Sequence, residues 1–112
     1  MKKLIVIGTL LMSMGCKQRY DKDIWMQNEH QNADNPRFEM TEDLTKNYLH
    51  KGMKPLQVLD LLGRPQFMDT NELGIHWTYP IGSNPGFHID PYYLEIDFDT
   101  TGNLAATHII EH

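Results

Sequence analysis

Glycine and proline cut this chain into short lengths, and that punctuation limits what it can fold into. Gly52, the Gly63-Arg64-Pro65 step, Asn71 to Gly74, Ser83 to Gly86 and Asp99 to Gly102 leave room only for short helices and short strands between them. A first helix is signalled from Asn35. Asn35 can cap it, Pro36 suits its first position, Met40, Leu44 and Tyr48 with Leu49 recur at spacings of four, and Gly52 stops it. Its charges run from Glu39, Glu42 and Asp43 to Lys46 and Lys51, the order that the helix macrodipole favours. A second helix is expected from Pro55 to Leu62, with Met53 and Val58 as a hydrophobic staple and Gln57 as half of a capping box. Val58, Leu59, Leu61 and Leu62 overfill a single stripe, so this helix is expected at the centre of the core, buried on more than one side.

Beyond Pro65 the period changes from helical to alternating. Phe67 and Met68 begin a short strand, and Ile75, Trp77 and Tyr79 then alternate with His76 and Thr78 as far as Pro80. Tyr92, Leu94, Ile96 and Phe98 alternate in turn with Tyr93, Glu95 and Asp97, and a strand from Leu104 to Ile110 returns across the turn at Asp99 to Gly102. Short connections between consecutive strands make the sheet antiparallel. The fold class expected is α+β, with two helices packed on a three-stranded antiparallel sheet.

The N-terminus has a different character. Met1-Lys2-Lys3 precedes a largely apolar run from Leu4 to Met14, and Gly15 leads directly into Cys16, the only cysteine of the 112 residues. A basic start, a short apolar stretch and small residues read as an export signal. A helix across a bilayer needs roughly 20 apolar residues, about twice this run. A single cysteine excludes a disulfide framework. The segment resembles the processing site of bacterial lipoproteins, although Ser13 stands where those sites carry Leu three residues before the cysteine. That resemblance implies removal of residues 1–15 and acylation of Cys16, which would anchor the chain to a membrane by lipid. Lys17 after the cysteine is similar to lipoproteins sent on to the outer membrane, facing the periplasm. Residues 16–36 are polar and lack sustained periodicity, so they are expected to form a flexible tether with a span of about 25 Å. Trp25 within it is expected to pack on its own domain. From Cys16 onward the chain carries eight basic against fifteen acidic side chains, which argues against nucleic acid and against an anionic lipid surface as partners.

The stretch Gly52-Met53-Lys54-Pro55-Leu56-Gln57-Val58-Leu59-Asp60-Leu61-Leu62-Gly63-Arg64-Pro65, followed by Trp77-Thr78-Tyr79 and by Ile96-Asp97-Phe98-Asp99 with Gly102, resembles the SmpA/OmlA (BamE-like) lipoprotein domain over residues 37–112. The motif residues are Gly52, Met53, Gln57, Val58, Gly63, Pro65 and Trp77. The resemblance implies a non-enzymatic binding or scaffold module with a protein partner in the envelope, linked to outer-membrane protein assembly or envelope integrity. Lys54 stands where that family usually has Ser or Thr, so one helix-capping bond is expected to be missing, at a cost of about 1 kcal/mol. Beta-lactamase inhibitor proteins resemble the same fold, which leaves an inhibitor of an exported enzyme as an alternative.

Catalytic constellations are lacking: no HExxH, no Cys pair, no nucleophile elbow and no Gly-rich phosphate loop occurs. No cofactor is expected. His76, Glu95, Asp97, His108 and His112 would share the outward face of the sheet, where they could converge on a site for a metal ion. Solvated surface polarity is the reading favoured over that alternative. The candidates for contact with a partner are Phe87, His88, Tyr92 and Tyr93, on or beside the Gly82 to Pro91 connection, together with the free edges of the sheet.

Overall fold

The alternating segments build one sheet, and the polar stretch before them supplies a clamp for its helices. The computed structural model describes residues 18–32, 34–83 and 91–111. Helix α1 spans Lys22–Met26, α2 Arg37–Asp43 and α3 Pro55–Leu62, with a π-helical turn over Leu44–Tyr48. Strands β1 (Phe67–Asn71), β2 (Gly74–Ser83), β3 (Pro91–Phe98) and β4 (Leu104–Glu111) form an antiparallel sheet in the order β1-β2-β3-β4. Residues 1–17, Cys16 among them, and residues 33, 84–90 and 112 lie outside the described residues.

The sheet has four strands where three were expected. The extra one, β1, pairs with β2 along its whole length, from Phe67↔Thr78 to Asn71↔Gly74, across the turn at Glu72 and Leu73. Its start is signalled at Phe67 and Met68, but all five of its residues are exposed, so no apolar alternation marks its extent. Strand β2 also runs past Pro80 to Ser83. A bulge between Pro80 and Gly82 absorbs Ile81, which keeps that side chain in the core and tolerates a proline that cannot donate to the ladder.

Trp77, Tyr79, Ile81, Leu94, Ile96, Phe98 and Leu104 bury one face of the sheet against Met40, Leu44, Leu49, Val58 and Leu62. Trp77 meets Phe98 edge to face at 4.8 Å. Helix α3 begins at Pro55 and leaves at Gly63, whose φ of +78° suits glycine. A side chain at Gly63 would also strike the Met26 sulfur at 2.9 Å. Gln57 Oε1 accepts from the Lys54 N–H at 2.8 Å, the half of the capping box that Lys54 cannot reciprocate. Met53 packs against the core, and its backbone and that of Gly52 bond Leu104 at the start of β4.

Two expectations about the helices are corrected. Helix α3 is not the centre of the core: Val58 and Leu62 are buried, Leu59 and Leu61 are half-buried, and Leu56 is 77% exposed. The first helix closes at Tyr48 and not at Gly52, which lies in the following turn. The π turn explains the difference. Leu49 N–H donates to Leu44 O five residues back at 3.0 Å, so of the pair Tyr48 and Leu49 it is Leu49 that reaches the core. Tyr48 swings outward and its ring stands 4.9 Å from that of Tyr20.

Residues 20–32 are not a free tether. Tyr20 and Trp25 are buried, and Asp21 caps α1 by accepting from the Ile24 N–H. The Trp25 indole donates to Leu62 O at 3.1 Å, and the Tyr20 hydroxyl donates to Leu61 O. The Arg37 guanidinium lies 4.3 Å over the Trp25 ring and donates to Trp25 O at 2.9 Å and to Pro80 O at 3.1 Å. Burial lowers the Arg37 pKa to about 10, which leaves it charged at neutral pH. Tyr20 N–H donates to Asp43 at 2.8 Å, and that bond, with a second from Asn47, lowers the Asp43 pKa. Trp25→Ala is expected to destabilise the domain by about 3–5 kcal/mol, read as a lower midpoint in urea unfolding. A loss below about 1 kcal/mol would contradict the docking of this segment.

Candidate functional site

Alternation on β2 and β3 puts the residues that do not enter the core onto the opposite face of the sheet, which the helices leave open. The register makes Asp69 the neighbour of His76, His76 of Asp97, Thr78 of Glu95, and Glu95 of His108. Four titratable side chains expected on this face, His76, Glu95, Asp97 and His108, therefore meet across three adjacent strands. His112, offered alongside them, lies outside the described residues.

His76 is held from both ring nitrogens. Its Nδ1 is 2.6 Å from Asp97 Oδ1 and 3.6 Å from Glu95 Oε2, and its Nε2 is 3.0 Å from Asn71 Oδ1. The other Asp97 oxygen is 3.2 Å from His108 Nε2. Asn71 acts from the β1–β2 turn, where the same Oδ1 accepts from the Leu73 N–H at 2.8 Å. That contact was not evident from sequence, although an asparagine opening a tight turn is its signal. Both ring nitrogens of His76 face oxygen acceptors, which is the environment of an imidazolium.

The electrostatics follow from that contact set. The hydrogen bond to Asp97 raises the His76 pKa above its usual 6.5, against the opposing effect of burial. Glu95 is raised by sharing a hydrogen bond with Asp97, then by burial and by the Asp97 charge. Burial resists ionisation of Asp97, but hydrogen bonds from Glu95 and His76 outweigh it and lower its pKa. Asp97 is thus the anion of the group, Glu95 retains its proton more readily than a free carboxyl, and His76 carries the compensating charge. Beside them lies a shallow, open depression of about 250 Å³ lined by Phe67, Asp69, Asn71, His76, Thr78 and Glu95.

The other proposed contact residues fare differently. Phe87 and His88 lie outside the described residues. Tyr92 points to the core side, where its ring packs edge-on against Phe38 at 5.3 Å and its carbonyl accepts from Gln31, so it is committed to packing. Tyr93 stands on the open face opposite Pro80 and Ile110. Gly52 lies in a turn, Gly63 and Pro65 at the exit of α3, Gln57 caps α3, and Met53, Val58 and Trp77 pack in or against the core, so none of them is part of the cluster. Comparison with protein-family models and with curated proteins finds no match for the chain.

The His76 pKa gives a definite sign to the pH dependence. A group raised above its unfolded value contributes stability that is fully present below pH 6.5 and is lost as pH rises through its folded pKa. Unfolding free energies measured across that window are expected to fall with rising pH in the wild type and to fall less in His76→Gln. An unchanged slope in the variant would show that the ring contributes nothing through this pairing.

Proposed function

We propose that this chain is an exported, lipid-anchored envelope protein whose α+β domain serves as a non-enzymatic binding or scaffold module, of the kind found among SmpA/OmlA (BamE-like) lipoproteins. In this reading residues 1–15 are removed, Cys16 is acylated, and the domain faces the periplasm from the outer membrane with a protein as its partner there. The observation that carries the reading is the apolar leader ending in Cys16 directly before a folded domain. Among the described residues Tyr20 is the first buried side chain, four residues beyond the cysteine. Even fully extended, that length spans only about 14 Å. An acylated Cys16 would therefore hold the domain close against the headgroups. Among the described residues no helix is long and apolar enough to cross a membrane.

Helices on one face of an antiparallel sheet, with the other face open, support the likeness to that family, while β1 and α1 depart from its expected layout. The non-enzymatic reading is supported by the shallow, open depression beside His76, which does not close a substrate off from water. The acidic balance of the chain beyond Cys16 argues for a protein partner over nucleic acid.

Expressed in a Gram-negative host, the wild-type chain is expected in the outer-membrane fraction, with an intact mass that has lost residues 1–15 and gained acyl chains. Cys16→Ser is expected in the soluble fraction without acyl mass. A wild-type chain that retains its leader and carries no lipid would overturn the anchor.

A further inference from the structure

We propose that His76, Glu95 and Asp97 form a binding site for a divalent transition-metal ion, best suited to zinc, on the open face of the sheet. One ligand atom from each of the three lies within 4.8 Å of the others. The separations of His76 Nδ1, 2.6 Å to Asp97 Oδ1 and 3.6 Å to Glu95 Oε2, bracket the distance between neighbouring ligands in a tetrahedral zinc site, about 3.3 Å for bonds near 2.0–2.1 Å. Opening the Asp97 contact and closing the Glu95 contact by less than about 1 Å would bring both oxygens to that distance from His76 Nδ1. One imidazole and two carboxylates form a donor set that zinc accepts, and they leave a fourth position for water.

The surroundings fit the same purpose. In metal sites the nitrogen of a ligating histidine that does not bind the ion is usually held by an oxygen acceptor, which fixes the ring and its tautomer. Asn71 Oδ1 occupies that role toward His76 Nε2, and is itself tied to the backbone of the β1–β2 turn. His108 holds the outer oxygen of Asp97, which turns the inner one toward His76. His108 is thus a positioning residue. Glu95 and Asp97 alternate on β3 and His76 stands beside Asp97 on β2, so the ligands rest on paired strands and not on loops. Two carboxylates side by side repel one another when both are charged, and a divalent cation between them removes that cost.

The test uses zinc sulfate alone as the probe, titrated calorimetrically into the full chain after chelator treatment. One saturable site per chain is expected, lost in His76→Gln and in Asp97→Asn, and about tenfold weaker in His108→Gln. His50→Gln, remote from the cluster, is expected to bind as the wild type does, which separates this site from adventitious coordination by other histidines. Tryptophan fluorescence checks that each variant is folded. A measurement without any variant accompanies these: zinc is expected to shift the His76 ring nitrogens in the NMR spectrum of the wild type. Absence of saturable binding at millimolar zinc, or binding equal in His76→Gln and wild type, would overturn the proposal.

Discussion

A buried guanidinium under an indole ring is the contact on which the arrangement of this domain depends. Taking the Arg37 charge out of water costs several kcal/mol unless its donors are matched. It is matched by two carbonyls from distant parts of the chain, Trp25 O on the N-terminal segment and Pro80 O on β2, and by the face of the Trp25 ring. Trp25 in turn donates to Leu62 O at the end of α3, while the Tyr79 hydroxyl donates to Gly63 O one residue later. One side chain thus fixes the N-terminal segment to the sheet, and its partner fixes both to the exit of α3. Burial of Trp25 contributes the apolar free energy, and the directional bonds of Arg37 and of the indole fix how the segment is seated.

That seating bears on how the domain would meet a membrane. Tyr20 is buried four residues beyond Cys16, so an acyl chain at that cysteine, as proposed, would hold the folded body close to the bilayer. The His76 cluster is separate from this clamp. It lies on the opposite face of the sheet, and its members belong to β2, β3 and β4, with Asn71 reaching in from the end of β1. The clamp and the cluster therefore occupy opposite faces of the one sheet.

How much of this was legible in the sequence depended on how local the cause was. Helix α3 could be read from Pro55 to Leu62 because a proline at its first turn, Gln57 reaching back to the Lys54 N–H and Gly63 at its exit are all local. Strands β3 and β4 and the turn between them were legible because alternation and an Asp-to-Gly turn act within a few residues. The cluster was half legible: alternation placed His76, Glu95, Asp97 and His108 on one face, but the contacts needed the register. Strand β1 was missed as a full strand because an edge that buries nothing has no apolar period. The π turn escaped because one inserted residue exchanges Tyr48 for Leu49 without altering composition. Residues 20–32 read as a tether because Ile24, Trp25 and Met26 stand alone among polar residues, and the groups that seat Trp25 lie 12 to 37 positions further along the chain.

Hydrogen exchange at the Trp25 indole Nε1–H tests the seating of this segment most directly, since that one proton reports whether the bond to Leu62 O is maintained in the native state. The account predicts exchange as slow as that of the central amides of β2 and β3, released only by global unfolding. Exchange near the rate of a free indole, with those strand amides still protected, would show that the segment does not belong to the folded unit.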